Sequence, residues 1–372
     1  MDIISELDGK RILIWGYGRE GKATEHFLER CVKPASVDIF EGKREEINED
    51  AYDFIIKSPG IVMKEENPKY TSETELFLQQ FRDQVIGITG TKGKSTTSAM
   101  LYTVLKACSG RPVLLLGNIG QPCLDYFEEV TEDTIIVYEM SCHQLAHTNV
   151  SPHIAIFLNL YEEHLDYYGT VEKYFEAKSH IAAYQKSGDF FFVGENVPKI
   201  ETKAEKTVLH QPKDVHYKLR LAGEHNQYDA QFVEHVAELL GCEKEAVLKS
   251  MAEFEGLPHR LQYIGTYRGV RYFDDSISTI PEAAINAAMS IPDAKTILIG
   301  GMDRGINYDL LITFIREHRE FQFICAYASG KRIFGEVGDC ENCVYVEDLE
   351  QAVDRAGRCL YSLTGSSILW LF

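Results

Sequence analysis

The sequence lacks long apolar runs and is short of basic residues. No stretch of the 372 residues approaches the ~18 consecutive apolar residues of a membrane span, so we expect none. Lysine and arginine number 38 against 57 aspartates and glutamates, and the net charge of −19 argues against a nucleic-acid partner. The first residues, Met1 to Glu6, lack the basic and apolar segments of a signal peptide, so we do not interpret them as one.

The cysteines form no recognisable framework. There are nine, an odd and scattered set that is typical of a protein in a reducing compartment. The Cys-x-x-Cys pair, Cys340 and Cys343, has no second pair and no neighbouring histidine, so we interpret it as incidental rather than as a metal or redox site. What is present, 45% hydrophobic and 26% charged residues over this length, predicts a globular protein of two or three domains.

A phosphate-binding loop is the strongest motif. The run Val85 to Thr89 predicts a buried strand, and the residues from Ser98 onward predict a helix. Between them stand Gly90, Thr91, Lys92, Gly93, Lys94, Ser95 and Thr96. Backbone N–H groups of such loops bind phosphate, a lysine reaches the terminal phosphates, and a hydroxyl holds Mg²⁺. Two residues separate the glycines where the strict pattern has four, and the alternative is an ordinary strand, turn and helix.

A second glycine motif lies near the start of the chain. Gly16, Gly18 and Gly21 follow an apolar strand, and Glu41 comes about twenty residues later, which is the dinucleotide fingerprint. Taken alone it predicts NAD and an oxidoreductase. The segment is short for a full dinucleotide domain, however, so a mononucleotide diphosphate fits it better.

Polar residues collect where apolar strands end, as they do in ligand sites of parallel sheets. Glu139 ends an apolar strand downstream of the phosphate loop, which indicates a Mg²⁺ ligand, although a solvated glutamate is the alternative. His164 lies in an acid-rich loop after another strand, which favours a metal or catalytic role over a structural one. Asn118 occupies a third strand end.

Lys178 falls on the apolar stripe of a predicted helix. The stripe consists of Val171, Tyr174, Phe175, Ile181 and Ala182. A lysine in that position must extend to solvent, pair with an anion or lose its charge. The alternatives are therefore a snorkelling side chain and a functional buried lysine.

Alternating strands and helices predict an α/β protein of three domains with mostly parallel sheets. We expect a Rossmann-like domain over residues 1–83, a central phosphate-loop domain over 84–255 and a Rossmann-like domain over 256–372.

Together these motifs resemble the Mur ligases, in order and over nearly the whole chain. The matching segments are Gly90 to Thr96, Gly117 to Gly120, Glu139 to Leu145, Asn159 to Asp166, Ala177 and Lys178, Gly223 to Asn226, Leu257 to Arg260, Asp274 to Ser276, and Gly300 to Gly305. The resemblance implies ATP-dependent amide formation by a cytoplasmic monomer. ATP would phosphorylate the carboxylate of UDP-N-acetylmuramoyl-L-alanine, and the amine of glutamate would attack the acyl phosphate.

The resemblance also implies roles for individual residues. Lys94, His164 and Lys178 would be catalytic, and Lys178 would carry a CO₂-derived carbamate. Ser95 and Glu139 would hold one of two Mg²⁺ ions, with His164 and the carbamate at the other. Nucleotide contacts outside the loop would come from Arg260 and Asp275, and Arg304 would contact glutamate. The UDP portion would be bound by Tyr17, Gly18, Arg19, Glu20, Glu41 and Asn118.

The chain departs from the family pattern at three places. Ile277 replaces a lysine of many relatives, and Asp229 replaces an asparagine common on the adenine side. The family's Ser-Pro and Ser-Phe-Asp segment would follow Phe372, so we expect a shortened last domain and an incomplete glutamate pocket. An L-glutamate-adding branch of the family and a catalytically impaired nucleotide-binding relative stay as alternatives. An NAD-dependent oxidoreductase leaves Lys94, Ser95 and Glu139 unexplained.

Overall fold

The computed structural model describes residues 2–61, 67–212, 216–221, 223–276, 281–291, 293–303, 305–360 and 367–371. In these ranges the chain forms three sheets flanked by helices. It divides into two compact units, which are Met1–His216 with Tyr228–Met251, and Tyr217–Gln227 with Ala252–Phe372. The first unit contains two of the sheets and the second unit contains the third.

The first sheet is parallel and has the order β2-β1-β3-β4. Its region consists of α1 (Ile3–Leu7), β1 (Arg11–Trp15), α2 (Arg19–Cys31), β2 (Ser36–Phe40), β3 (Phe54–Lys57), β4 (Tyr70–Thr71) and α3 (Glu73–Phe81), with 3₁₀ turns at Arg44–Glu46, Glu49–Ala51 and Arg82–Gln84. Gly16, which follows β1, has φ +89°, and a Cβ on Gly21 would lie 2.2 Å from the Gly16 carbonyl oxygen. These glycines therefore let α2 begin directly at the end of β1.

The second sheet is also parallel and has the order β10-β9-β8-β5-β7-β6. Its strands are β5 (Val85–Thr89), β6 (Val113–Gly117), β7 (Ile135–Glu139), β8 (Ile154–Phe157), β9 (Phe190–Gly194) and β10 (Glu205–Leu209). Its helices are α4 (Lys94–Cys108), α5 (Cys142–Leu145), α6 (Leu165–Tyr168), α7 (Val171–Ala183), α8 (Glu224–Leu239) and α9 (Lys244–Glu253), with a 3₁₀ turn at Leu124–Glu129. Strand β5 is buried along its length, so the loop after it starts from a rigid position.

One apolar core serves both of these sheets. The ring of Phe27 on α2 lies 4.7 Å from that of Phe127, and the ring of Phe77 on α3 lies 5.9 Å from that of Tyr138 on β7. All four side chains are buried and belong to one continuous cluster. Because burial of such aromatic surface is a main source of folding free energy, the two sheets stabilise each other.

The third sheet has the order β11-β12-β16-β13-β14-β15 and is parallel except for the β11–β12 hairpin. The region consists of β11 (Gln262–Tyr267), β12 (Val270–Asp274), α10 (Pro281–Ser290), β13 (Ala294–Gly301), α11 (Asp309–Glu317), β14 (Gln322–Ala326), α12 (Tyr327–Val337), β15 (Cys343–Tyr345), α13 (Leu349–Leu360) and β16 (Ser367–Leu371). It has its own apolar clusters, separate from the core of the first two sheets.

The α/β class with mostly parallel sheets is confirmed. Among the described residues, no helix combines the length and apolar character needed to cross a bilayer. The boundaries at residues 83 and 255 stay a prediction.

A buried ion pair joins the segment before β5 to the start of β9. The Arg82 guanidinium contacts Asp189, whose other oxygen lies 2.8 Å from Nδ1 of His153. The Asp189 side chain is only 5% exposed. Burial alone would raise the pKa of Asp189, but the Lys186 N–H, His153 and Arg82 together lower it below the ordinary value of 3.8.

Replacing Asp189 with asparagine should lower the free energy of unfolding by about 3 kcal/mol, because it removes the buried anion of the Arg82 guanidinium and leaves only the exposed Asp83 to pair with it. Urea unfolding at pH 7 measures the loss. Since the folded pKa is depressed, the contribution is present above the unfolded pKa of about 3.8 and disappears as the pH falls through the lower folded value. The matched control is Asp83→Asn, because Asp83 also pairs with Arg82 but is 81% exposed and should change stability by less than about 0.5 kcal/mol. Equal losses in the two variants would contradict the burial argument.

Candidate active site

The loop between β5 and α4 has the form of a phosphate cradle. Gly93 is the N-cap of α4 and has φ +83°, a left-handed conformation that favours glycine. Helix α4 begins at Lys94 rather than near Ser98, because Gly93 completes the turn and frees the following residues to be helical. The unpaired N–H groups of this first turn and the positive end of the helix dipole provide an anion site.

Asn159, at the end of β8, fixes the shape of the loop. Its Oδ1 accepts from the Lys92 N–H at 2.9 Å and its Nδ2 donates to the Lys92 carbonyl at 3.1 Å. Its own carbonyl accepts from the Thr91 N–H at 3.0 Å. The Asn159 side chain therefore bonds both backbone groups of Lys92, as a neighbouring strand would. It fixes the conformation of the phosphate loop without a bound ligand.

Two lysines converge on one carbonyl oxygen of the loop. Lys94 Nζ donates to the Gly90 carbonyl at 2.9 Å and to the Thr91 carbonyl at 3.0 Å. Lys178 Nζ, from α7, donates to the same Gly90 oxygen at 2.9 Å and lies 3.3 Å from Oγ1 of Thr89. Lys178 is 1% exposed, so the prediction of a buried lysine on this helix is confirmed.

Burial lowers the pKa of both amines, and the charge of Lys94 lowers that of Lys178 further. Burial has the largest effect on Lys94, whose pKa falls although Glu139 and Glu163 oppose the change. For Lys178, burial and then the charge of Lys94 lower the pKa to about 7. Near neutral pH, the Lys178 amine is therefore neutral in a large fraction of molecules, and a neutral amine is a nucleophile.

Glu139 presents one unsatisfied oxygen in this region. The residue is fully buried at the end of β7, and its Oε1 accepts from Asn118 Nδ2 at 2.6 Å. Its Oε2 is buried and has no hydrogen-bond partner in the described structure. A buried carboxylate oxygen without a donor is costly, and a bound cation would satisfy it. The donor chemistry therefore fits Mg²⁺, which prefers carboxylate oxygens.

His164 lies on an exposed loop and has φ +56°. Its ring centroid is 5.2 Å from that of His143 and 5.9 Å from that of Tyr174. Within the described ranges, no three His, Cys, Asp or Glu side chains cluster as a metal site. The metal role of His164 stays a prediction.

Two adjacent residues of α2 reach from the first sheet to loops of the second. Arg19 donates to the Gly120 carbonyl at 2.8 Å, in the loop that carries Asn118. Glu20 accepts from Gln144 Nε2 at 2.8 Å, in the capping box that begins two residues after Glu139. Both predicted UDP-site residues are thus tied to the loops around Glu139.

The other residues predicted for the UDP site stand on the first sheet. Gly18 is the N-cap of α2, and the Tyr17 hydroxyl contacts the carboxylate of Glu25. Glu41 is exposed directly after β2. Their ligand contacts stay a prediction.

Glu20 is part of a buried acid pair. Burial raises the pKa of Glu20, and burial together with the negative charge of Glu20 raises the pKa of Glu73 well above its ordinary value. Glu73 Oε1 accepts from the Leu124 N–H at 2.9 Å. Burial and the neighbouring carboxyl group therefore favour the protonated form of Glu73.

In the third sheet, Asp275 is buried and accepts from the Leu261 N–H at 2.9 Å, whereas Arg260 is exposed. Arg304 and Ile277 lie outside the described residues. The assignment of Arg260 and Asp275 to the nucleotide stays a prediction.

Sequence reasoning assigned no role to Asn159, Gln144 or Glu73. The sequence does contain a hint of a role for Asn159, because this residue follows the apolar run from Ile154, and polar residues at strand ends often bind ligands. No local pattern indicates a role for Gln144 or Glu73, because their hydrogen-bond partners are distant in sequence.

This region combines a parallel α/β sheet, a glycine loop that caps a helix, a buried lysine beside a half-buried one, and an unsatisfied carboxylate. These features define an enzyme that handles nucleotide phosphates. Residues 88–218 match the Mur ligase middle domain. A UDP-N-acetylmuramoylalanine–D-glutamate ligase of Aquifex aeolicus is 31% identical over 80% of this chain and 78% of the relative. The chain belongs to the Mur ligase family, and it is an ATP-dependent ligase of peptidoglycan precursor synthesis.

Further similarities agree with this membership. A UDP-N-acetylmuramoyl-L-alanine–L-glutamate ligase of Xanthomonas euvesicatoria is 29% identical over 89% of this chain and 82% of the relative. MurC of Thermotoga maritima superposes with a TM-score of 0.59 at 18% identity, over 97% of this chain and 95% of that one. MurF of the same organism, solved with ADP, gives 0.57 at 18% identity over 90% of each chain. These structures support the fold.

Proposed function

We propose that the protein joins the amino group of glutamate to the carboxyl group of UDP-N-acetylmuramoyl-L-alanine, with hydrolysis of ATP to ADP and phosphate. The observation that carries the proposal is the convergence of Lys94 and Lys178 on the Gly90 carbonyl beside the phosphate loop. In a chain about 30% identical to glutamate ligases, this arrangement supports phosphoryl transfer to an acid.

The chemistry needs an activated acid, because a carboxylate is a poor electrophile. Transfer of the terminal phosphoryl group of ATP to the carboxylate gives an acyl phosphate with a good leaving group. The loop N–H groups would hold the phosphates, and the Lys94 ammonium would leave the Gly90 and Thr91 carbonyls to neutralise charge on the group in transfer. The glutamate amine then attacks the acyl carbon and inorganic phosphate leaves.

The residues of the site fit the metal and the modified lysine that the family implies. Ser95 and the unpaired Glu139 oxygen would hold one Mg²⁺, and His164 with a Lys178 carbamate would hold a second. When bound, Mg²⁺ supplies positive charge to the phosphate oxygens. The neutral fraction of the Lys178 amine supports carbamate formation, because CO₂ reacts with the free amine.

We assign the remaining groups by their place in the fold. The loop and helix start at Tyr17, Gly18, Arg19 and Glu20, with Glu41 and Asn118, would bind the UDP end. In the third sheet, Arg260 and Asp275 would contact the nucleotide and Arg304 the glutamate carboxylate. We also propose that the chain divides into three domains at residues 83 and 255, and that the protein is a cytoplasmic monomer.

The test is ADP release from the purified chain. With Mg²⁺, bicarbonate, ATP and UDP-N-acetylmuramoyl-L-alanine, we expect glutamate to stimulate ADP formation at least tenfold, and mass spectrometry to detect a product heavier by one glutamyl residue. Omission of the UDP substrate is the control. ATP binding with no product under any condition would support a catalytically impaired relative and contradict the proposal.

The relative named for L-glutamate defines a second candidate. Parallel assays with D-glutamate and L-glutamate separate the two, because a glutamate pocket rejects the wrong enantiomer when its polar groups are left unpaired. A product with one enantiomer only identifies the acceptor.

A further inference from the structure

A buried carboxyl group lies against the phosphate loop. Asp229, on α8, is 2% exposed. A Cβ built on Gly93 would lie 2.4 Å from Oδ2 of Asp229 and 2.9 Å from Oδ1. The carboxyl group therefore packs directly on the Cα atom of the residue that caps α4, next to the expected position of the phosphates.

In the part of the chain that the structure describes, no opposite charge compensates the Asp229 carboxyl group. Among the described residues, no lysine or arginine pairs with Asp229. The neighbouring Thr97 hydroxyl opposes the rise in its pKa, but it forms no hydrogen bond. Burial raises the pKa of Asp229 to about 7, an effect larger than the opposing one from Thr97. In the absence of a ligand, Asp229 is therefore close to half protonated at neutral pH.

The titratable groups on the elements packed around Asp229 are Lys92 and Lys94 of the loop and α4, His225 and Tyr228 of α8, and Glu195 after β9. Lys92 Nζ pairs with Glu163 at 2.9 Å, and Lys94 Nζ is bonded to loop carbonyls.

The other groups near Asp229 supply no positive charge. Burial lowers the pKa of His225 and raises that of Tyr228 to about 12, so both are neutral. Glu195 pairs with His210. None of these supplies a cation to Asp229.

We propose that Asp229 is a nucleotide-positioning residue whose carboxyl group is protonated when a nucleotide occupies the phosphate loop, so that binding takes up a proton. Nucleotide phosphates bring negative charge beside the Gly93 turn. A charged Asp229 carboxylate would repel them strongly in this buried site, so protonation of the carboxylate becomes favourable. A neutral carboxyl group keeps its contact with the loop and can also donate a hydrogen bond. The inference rests on the proposed use of this loop for ATP.

The consequence is a pH-dependent affinity. The protonated, binding-competent fraction falls from about one half at pH 7 to about one tenth at pH 8, so the Kd for ADP with Mg²⁺ should rise about fivefold over that unit. In Asp229→Asn the neutral amide has no proton to lose, so its affinity should lack this part of the pH dependence. Protonation of ADP affects its binding to the wild-type protein and to Asp229→Asn equally, so it does not contribute to the difference between their pH profiles.

Calorimetry of ADP binding at pH 8 in buffers of different ionisation enthalpy counts the protons. We expect the wild-type protein to take up nearly one proton more than Asp229→Asn. If Asp229→Asn does not fold, infrared difference spectra of the wild-type protein keep the test decisive, because a protonated-carboxyl C=O band should grow on ADP addition at pH 8.

Equal proton uptake and equal pH profiles in the two proteins would overturn the role of Asp229 while leaving the nucleotide site intact. With a non-folding variant, absence of the new infrared band does the same. Failure of the wild-type protein to bind ADP at any pH would instead contradict the proposed function.

Discussion

Replacement of Lys94 by methionine should lower kcat/KM for ATP by about 10³-fold. The ammonium group of Lys94 is half-buried at the loop, and among the described residues two carbonyl oxygens accept hydrogen bonds from it. It is therefore ready to exchange those oxygens for phosphate oxygens, which carry more negative charge. Methionine has a similar length and no charge, so the variant removes the electrostatic contribution with little change in packing.

The measurement is ADP release in the coupled assay, with ADP affinity by calorimetry alongside. Lys106→Met is the matched control, because Lys106 is an exposed residue in the last turn of the same helix. It should retain activity within about twofold. Full activity in Lys94→Met would refute the phosphate role of this loop, whereas lost activity with unchanged unfolding temperature would support it.

Replacement of Lys178 by alanine should reduce turnover by about 10²-fold or more, because it removes the proposed carbamate. A short carboxylic acid, such as acetate or formate, should restore part of the activity by supplying the missing oxygens. In the wild-type protein, ¹³C-labelled bicarbonate should give a carbamate carbon signal in the NMR spectrum. With a pKa of about 7, the amine loses its proton as the pH rises through 7, so the signal should grow over that range.

Lys173→Ala is the control for Lys178, since Lys173 is an exposed residue of the same helix. It should keep both the activity and the carbamate signal. Wild-type activity in Lys178→Ala, or a carbamate signal that survives in that variant, would rule out the proposed role.

Local sequence was sufficient for the features that depend on periodicity. The run Val85–Thr89 is a buried strand, and Lys178 is buried because it shares a helical face with Tyr174 and Ile181. Glu139 ends its strand as expected. In each case the apolar pattern alone decides which face of the element is covered.

The remaining features depend on contacts between distant residues. Glu20 lies 124 residues from Gln144, and no local pattern shows that its carboxylate turns into the protein to meet that amide. Asp229 stood out only as an unusual residue in a motif. Its contact with Gly93 follows from the packing of α8 on the loop, which no spacing rule encodes.

The aromatic cluster around Phe27, Phe77 and Tyr138 has a practical consequence. Because one continuous apolar cluster packs on strands β1–β4 and on strands β5–β10, we expect the two groups to depend on each other for stability. A fragment cut near residue 84 would expose the wall of this cluster to water and would tend to aggregate. Calorimetric melting should register both groups as one cooperative transition.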